Sequence, residues 1–263
     1  MKQVLLVRHA ESENNAIHAR IVAEMPEASP ERRARMERER ASDPSLSALG
    51  REQARLLADA MARRMQDRRP LLITSPMQRA LCTAGEVASA IQIDRDRFWC
   101  HGEIYEIGGS YHGATAQPTT TAREIESQFR VTCHRLPPEG WYAGRNGRET
   151  ADEARQRVDR AIAWMEALLG REDPAFDTIV VVTHGEFMTR WMRRWLGVAW
   201  SKHLAFVHGN TGITALIWDA RRGILVDTLN DVGHLPDHLR TDVQETWWRL
   251  AAPEVDIARH VSQ

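Results

Sequence analysis

The hydrophobic residues of the chain are grouped in short, unbroken runs rather than in an alternating pattern. One run covers residues 4–7 and is followed by Arg8 and His9. Another covers residues 178–183 and is followed by His184. Short runs of aliphatic and β-branched residues predict strands that are buried on both faces, as in parallel sheets. Each of these two predicted strands is therefore followed by side chains that can bind a ligand or take part in a reaction.

Helical patterns alternate with the predicted strands. Residues 70–74 form a third apolar run, and residues 151–169 place Val158, Ile162 and Met165 at helical spacing. Strands that alternate with helices predict a three-layer α/β/α sandwich with a mainly parallel central sheet. In such folds, ligands bind at the carboxyl ends of the strands.

Arg8, His9 and His184 are all expected at this edge of the sheet. A guanidinium group supplies a planar set of donors, and an imidazole nitrogen can act as nucleophile, acid or ligand. An isolated Arg-His pair is more often a solvent-facing strand end. Two strands that each deliver a histidine to the same edge instead indicate one shared site, and its residue types suit a phosphate group.

Three blocks of sequence resemble the motifs of the histidine phosphatase superfamily, and they occur in the order found in that family. The blocks are Arg8-His9-Ala10-Glu11-Ser12 with Asn15, Ser75-Pro76 leading to Arg79-Ala80, and Thr183-His184-Gly185. The superfamily includes cofactor-dependent phosphoglycerate mutases and many phosphomonoesterases. The resemblance implies a phosphoglycerate mutase-like α/β fold and phosphoryl transfer without a metal or other cofactor.

The resemblance also implies roles for individual residues. His9 is the expected nucleophile, which would form a phosphohistidine intermediate. Arg8, Arg79 and His184 are expected to act with it in catalysis. The implied phosphate-binding set is Arg8, Ser12, Asn15, Arg79, His184 and Gly185.

The family also has a glutamate, the presumed general acid, that precedes a glycine-rich turn. Residues 104–106 fit the apolar-x-Glu part of this motif, which makes Glu106 the candidate. The gap to the turn is one residue shorter than expected, and Glu103 fits the family spacing from Arg79 better. Strand alternation would put the two carboxylates on opposite faces, so that only one points into the site. We favour Glu106 because His101 is a poor substitute for the apolar partner that Glu103 would need.

We expect one domain over residues 1–263, with two insertions. Residues 16–42 are rich in charges of both signs and predict a helical insertion that Pro26 and Pro30 divide in two. Its arginines form either a lid over the substrate or a solvated face. Residues 114–147 predict a loop-rich cap, and in the family such an insertion covers the site. Four side chains in the cap or directly after it can contact a leaving group or simply pack: Trp141, Tyr142, Arg145 and Arg148.

The composition of the chain limits the classes of molecule that we expect it to bind. The chain has 263 residues, 43% of them hydrophobic and 27% charged, and a net charge of -1. No polybasic character indicates a nucleic acid or an anionic membrane as partner, and no apolar run is long enough to span a membrane. Its three cysteines lack the spacing of a disulfide framework or a zinc site. With no recognisable signal peptide, we expect a cytoplasmic protein that acts on a small phosphorylated substrate.

The first functional hypothesis is a metal-independent phosphomonoesterase. A mutase-type phosphotransferase is the alternative, and the altered stretch 103–113 and the enlarged loops weigh against it. A hypothesis of another class is a catalytically silent module that binds phosphate or a phosphoprotein. A metal site formed by the histidines and a glutamate lacks the expected His-x-x-x-His spacing. A helical tail with Trp247 and Trp248 is expected to pack on the body or on a second subunit of a homodimer.

Overall fold

The computed structural model describes residues 1–171, 175–199 and 206–241. The strands are β1 (Lys2–Arg8), β2 (Pro70–Thr74), β3 (Phe98–His101), β4 (Tyr111–His112), β5 (Thr115–Ala116), β6 (Thr132–His134), β7 (Thr178–Thr183), β8 (Ile213–Asp219) and β9 (Gly223–Asp231). The helices are α1 (Glu13–Glu24), α2 (Pro30–Glu39), α3 (Ala48–Arg64), α4 (Gln78–Ala90), α5 (Ala122–Phe129), α6 (Ala151–Leu169) and α7 (Gly185–Leu196). The predicted tail helix with Trp247 and Trp248 lies outside the described residues.

The central sheet has seven strands in the order β6-β3-β2-β7-β1-β8-β9. The first five of these strands run parallel to their neighbours, whereas β8 and β9 are antiparallel additions. The predicted mainly parallel sheet is therefore confirmed. Strands β4 and β5 form a separate two-stranded hairpin.

Helices cover both faces of the sheet. On one face, Leu5 and Val7 of β1 belong to a buried cluster that also contains residues of α3 and α4. On the other face, Val4 and Leu6 pack with residues of α6 and α7. Successive strand residues point to opposite faces, and here both faces are apolar. This double burial explains why the strands have unbroken apolar runs, and it confirms the three-layer architecture.

The register of the parallel strands brings their carboxyl ends together. Arg8 pairs with Thr183 of β7, and Thr74 of β2 pairs with Val182. The ladder continues one step further, because the N–H of His9 donates to the carbonyl of Thr183 at 2.9 Å. His9 and the residues that follow β2 and β7 therefore leave the sheet side by side.

The two expected insertions contain regular structure. Residues 16–42 contain α2 and most of α1, and the charged pairs Arg20–Glu39 and Arg35–Glu24 link the two helices. Residues 114–147, expected to form a cap, also contribute to the central sheet, because β6 lies within them and pairs with β3 as an edge strand. Among the described residues, no helix is long and apolar enough to cross a membrane.

Candidate active site

A cavity of about 140 Å³ opens where β1 and β2 leave the sheet. It is lined by Arg8, His9, Ser12, Asn14, Asn15, Arg40, Ser42, Met77, Arg79, Glu106, Ile107, Gly109 and Tyr111. Six residues from the predicted site are in this set: Arg8, His9, Ser12, Asn15, Arg79 and Glu106. A larger cavity of about 430 Å³ contains none of them and is lined in part by Met65, Pro70 and Ile93.

The imidazole of His9 is held in one tautomer. Its Nδ1 lies 2.7 Å from the carbonyl oxygen of Ala10, which can only accept, so Nδ1 carries the proton. Arg79 Nε donates to His9 Nε2 at 3.1 Å, which requires a lone pair on Nε2. Burial, followed by the charges of Arg79 and Arg8, holds the pKa of His9 well below its ordinary value of 6.5. At neutral pH, His9 therefore has an unprotonated Nε2 beside the cavity.

His184 is next to His9 but does not line the cavity. The two ring centroids are 5.0 Å apart, and the His184 side chain is fully buried. A 2.7 Å hydrogen bond joins His184 Nε2 to Ser75 Oγ. Burial and the nearby Arg79 hold the pKa of His184 well below 6.5, so the ring is neutral at pH 7. His184 is thus placed as a neutral neighbour of the nucleophile candidate.

Arg8 and Arg79 are anchored by backbone and carboxylate groups. Arg8 Nη1 donates to the carbonyl of His208 at 2.7 Å. Arg79 lies in the first turn of α4, where Asp43 Oδ1 is 4.0 Å from Arg79 Nη1 and accepts the N–H of Gln78. Burial raises the pKa of Asp43 to about 6 against the attraction of Arg79. Asp43 is not among the residues predicted from the sequence, because its contact with α4 joins residues 35 positions apart along the chain.

Gly185 supports Arg8 rather than lining the cavity. A Cβ atom at Gly185 would lie 3.4 Å from Arg8 Nε, tighter than most such contacts. Gly185 is also the first residue of α7, which follows β7 directly after His184. Its absence of a side chain leaves room for the Arg8 guanidinium at the end of β1.

Ser12 and Asn15 form the cap of α1. Ser12 Oγ accepts the Asn15 N–H and donates to Asn15 Oδ1, and the Ser12 N–H donates to the same Oδ1. This reciprocal arrangement fixes the start of α1 at the cavity wall. Because the Asn15 oxygen is used in the cap, its Nδ2 is the side-chain group suited to donate to a phosphate oxygen.

The two candidate acids are in different environments. Strand β3 ends at His101, so Glu103 and Glu106 lie in the following loop, and the expected strand alternation between them was wrong. Glu106 lines the cavity, and its Oε1 accepts N–H groups from Ile107 and Phe187. Glu103 instead pairs with two arginines of the outer surface, Arg160 at 2.6 Å and Arg135 at 3.1 Å.

A buried ion pair supports the loop that carries Glu106. The side chains of Arg157 and Glu149 are 1% and 0% exposed and form two hydrogen bonds of 2.7 Å. Arg157 Nη1 also donates to the carbonyls of Glu103 and Tyr105. No local pattern predicts this pair, although Glu149 lies just before Thr150, the cap of α6.

The cap residues differ in their access to the site. Trp141 and Tyr142 are buried in the core cluster, and Arg145 pairs with Glu153. Arg148 Cζ lies 5.3 Å from the Tyr111 ring centroid. Among the described residues, no group of three or more His, Cys, Asp and Glu side chains is placed to hold one metal ion.

The family model described as histidine phosphatase superfamily (branch 1) matches residues 4–231. The chain belongs to the histidine phosphatase superfamily. A curated relative is phosphoserine phosphatase 1 of Hydrogenobacter thermophilus, 27% identical over 236 residues, which cover 89% of this chain and 95% of the relative. The predicted family is therefore confirmed.

Solved structures show the same fold. A phosphoserine phosphatase mutant of Entamoeba histolytica in complex with phosphoserine has 20% identity and a TM-score of 0.53, covering 90% of this chain and all of that one. A putative alpha-ribazole-5'-P phosphatase of Escherichia coli has 18% identity and a TM-score of 0.54, covering 88% and 96%. The phosphoglycerate mutase-like histidine phosphatase fold expected from the sequence is thereby confirmed.

Buried neutral histidines lower the free energy of unfolding of this histidine phosphatase as the pH falls. Burial lowers the pKa of His101 to about 4, whereas the unfolded value is near 6.5. Below pH 6.5 the unfolded chain therefore takes up a proton that the native state does not, and stability falls as the pH drops. Between pH 7 and pH 5, His101 alone contributes a loss of about 2 kcal/mol at about 1.36 kcal/mol per pKa unit.

Urea unfolding of wild type and His101→Phe at pH 7 and pH 5 measures this contribution. The fall in the free energy of unfolding should be about 2 kcal/mol smaller in the variant. Equal falls in the two proteins would show that His101 takes up its proton in the native state. Each protein is compared with itself at the two pH values. A loss of packing energy that is the same at both pH values therefore cancels.

Proposed function

We propose that this protein hydrolyses small phosphomonoesters in two steps, through a phosphohistidine at His9. The proposal rests mainly on one observation: a neutral His9 Nε2 lies at the cavity, 3.1 Å from Arg79 Nε. In phosphoryl transfer the protein mainly positions the reactants and stabilises charge. Membership of the histidine phosphatase superfamily supports the same chemistry.

In the first step, Arg79 Nε releases its hydrogen bond to His9 Nε2, the freed lone pair of Nε2 attacks phosphorus, and the bond to the ester oxygen breaks. Glu106 donates a proton to the leaving oxygen as that bond breaks. The Nδ1–H of His9 keeps its hydrogen bond to Ala10 and stabilises the positive charge on the phosphorylated ring. The product is an alcohol and a phosphohistidine.

In the second step, a water molecule attacks the phosphorus of the phosphohistidine. Glu106 now accepts a proton from the water, the N–P bond breaks, and its electron pair returns to Nε2. Inorganic phosphate leaves, and His9 and Glu106 are both restored. The same carboxyl group thus acts as acid and then as base.

Arg8 and Arg79 stabilise the phosphoryl oxygens, and Ser12 and Asn15 line the same cavity. His184 and Gly185, expected from the sequence to bind phosphate directly, do not line it: neutral His184 packs beside His9, and Gly185 lies beside Arg8. Fixed positive groups in a buried site stabilise developing charge without reorganisation, and removing one such group typically costs about a hundred- to a thousandfold in rate. The anchors of Arg8 and Arg79 support this role, because they restrict both guanidinium groups to the cavity wall.

The substrate is a small phosphorylated molecule. The cavity volume of about 140 Å³ supports this size, and the curated relative named phosphoserine phosphatase 1 supports hydrolysis over mutase activity. The three cysteines are free, which is consistent with the proposed location in the reducing cytoplasm.

Release of phosphate from a panel of phosphomonoesters, measured with a metal chelator present, tests the proposal. Wild type should release phosphate from several small esters, and the chelator should not change the rate. Binding of phosphate without hydrolysis of any ester would contradict the proposal. An isomerisation assay would then distinguish a mutase from a silent binding module.

Glu106→Gln should slow the hydrolysis of esters with poor leaving groups far more than that of esters with good leaving groups. With an alkyl phosphate, kcat should fall about a hundredfold or more, because the alkoxide needs a proton as it leaves. With p-nitrophenyl phosphate the first step should fall much less, since its leaving group is stable as an anion. Single-turnover measurements with both esters isolate this step.

Glu103→Gln is the matched control for this experiment. Its carboxylate has the same chemistry but pairs with Arg135 and Arg160 away from the cavity. We expect Glu103→Gln to leave the ratio of the rates with the two esters unchanged. A leaving-group effect at Glu103 and none at Glu106 would reverse the assignment of the acid.

A further inference from the structure

We propose that Cys100 and Cys133 form a modification site, at which an oxidant converts the two thiols reversibly to a disulfide that ties β6 to β3. Both cysteines are free thiols in this structure. They lie outside the cavity that His9 lines, so the inference is independent of the proposed phosphatase activity. Its basis is the register of two parallel strands, in which Cys100 and Cys133 are direct partners.

The two thiols are already in contact. The Cys100 thiol donates a hydrogen bond to the sulfur of Cys133, whose own thiol donates to the carbonyl of Ala122 at 3.7 Å. Directly paired residues of neighbouring strands have Cα atoms about 4.8 Å apart, within the range of about 4.4–6.8 Å that disulfides span. A bond between the two sulfurs therefore needs little movement of the backbone.

The two thiols differ in their access to an oxidant. Cys100 is buried, whereas Cys133 is partly exposed on β6, which is the edge strand of the sheet. Burial, followed by the hydrogen bond to Cys133, holds the pKa of Cys100 well above its ordinary value. Because the thiolate is the reactive form of cysteine, Cys100 is a poor first target. Cys133 is therefore the thiol that an oxidant meets first, and Cys100 is the resolving thiol.

A hydroperoxide is the class of oxidant that such a pair takes. The Cys133 sulfur attacks the O–O bond of hydrogen peroxide, which converts the thiol to a sulfenic acid and releases water. The Cys100 sulfur then attacks the sulfenic sulfur, the S–O bond breaks, and a second water leaves with the proton of the Cys100 thiol. Two thiols and one peroxide thus give one disulfide and two water molecules.

A disulfide at this position is easily reduced again. The Cβ atoms of a relaxed disulfide lie about 3.5–4.5 Å apart, whereas neighbouring strands are spaced at about 4.8 Å. The bond between direct strand partners is therefore strained, and strained disulfides are reduced more readily than relaxed ones. This property suits a reversible modification rather than a permanent structural link.

The disulfide would hold a weak edge of the sheet. Strand β6 has three residues and pairs only with β3 among the described strands. Just beyond the thiols, the N–H of Gly102 donates to the carbonyl of His134 at 2.9 Å, and Arg135 pairs with Glu103 at 3.1 Å. A short edge strand opens locally at low cost in free energy. A covalent link between β3 and β6 opposes this opening and so stabilises the start of the loop that follows β3.

Peptide mapping tests whether the disulfide forms. Wild type is treated with hydrogen peroxide, its remaining thiols are alkylated in denaturant, and the protein is digested without reductant. We expect a linked pair of peptides that contain Cys100 and Cys133, two hydrogen atoms lighter than the two thiol peptides together. Dithiothreitol should separate the pair. Recovery of both residues as alkylated thiols, or of Cys133 as a sulfinic acid with no link, would overturn the inference.

The third cysteine supplies a matched control. Cys82 is partly exposed like Cys133, but its thiol is hydrogen-bonded to Ser45 rather than to a second thiol. Cys82→Ser should therefore form the same disulfide as wild type. In Cys133→Ser, Cys100 should remain a thiol after peroxide treatment, because it is buried. A link that involves Cys82, or one that joins two molecules, would overturn the inference.

Thermal unfolding measures what the disulfide does to the fold. A disulfide constrains the unfolded chain, so peroxide should raise the unfolding temperature of wild type by about 5 °C, and dithiothreitol should reverse the rise. Cys133→Ser should show no rise. An equal rise in wild type and Cys133→Ser would assign the effect to another oxidation, such as that of methionine, and would overturn the stabilising role. A disulfide that forms without any rise would overturn that role as well.

Discussion

Replacing His9 with alanine should abolish phosphate release, with kcat lower by more than about a thousandfold. The change removes the atom that attacks phosphorus, and the neighbouring neutral histidine, His184, is fully buried and does not line the cavity. Initial rates with several esters measure the loss. Activity within tenfold of wild type would show that the phosphoryl group does not pass through His9.

The binding site should survive this substitution. Arg8 keeps its hydrogen bond to the His208 carbonyl and Arg79 keeps Asp43, so inorganic phosphate should still bind to His9→Ala in calorimetry. His238→Ala is the control, because His238 is an exposed histidine far along the chain and should leave the rate unchanged. Together the variants separate loss of chemistry from loss of fold.

Replacing Arg157 with methionine should destabilise the protein by about 3–5 kcal/mol. The substitution leaves Glu149 buried without its cation and removes the two hydrogen bonds to the carbonyls of Glu103 and Tyr105. Urea unfolding measures the loss. The loop that carries Glu106 should also shift, so hydrolysis of alkyl esters should slow even where the variant is folded.

Two controls accompany the Arg157 variant. Arg155→Met removes an arginine of the same helix whose pair with Asp152 is exposed, and its stability should change little. The double variant Glu149→Gln with Arg157→Met should be more stable than Arg157→Met alone, because no carboxylate is then buried without a partner. A loss below about 1 kcal/mol in Arg157→Met would contradict the role given to this pair.

The sequence predicts the parts of the fold that depend on local pattern. Strands β1 and β7 are buried on both faces, so their apolar runs are unbroken and their ends are recognisable. The carboxyl ends of parallel strands meet at one edge, which is why the sequence alone predicts that His9 and His184 lie close together. The same reasoning places Arg79 at the start of α4.

Contacts between distant segments were not predictable in the same way. Arg40 and Asp43 reach the site because the segment after α2 is held against Asn14 of α1 and Gln78 of α4, and no local pattern encodes these contacts. The separation of Glu103 from Glu106 depends on Arg135 and Arg160, which lie 32 and 57 residues after Glu103 along the chain. The strand alternation that we applied to these glutamates was wrong because β3 is only four residues long.

The most direct test of the account is to trap the covalent intermediate. Wild type and His9→Ala are mixed briefly with an ester that carries a radiolabelled phosphate, quenched in alkali and digested to peptides. A phosphohistidine survives alkali and is lost in acid, so label on the peptide that contains His9, absent from the variant, is the predicted result. Rapid hydrolysis with no label on that peptide, or an acid-stable label on another residue, would contradict the account.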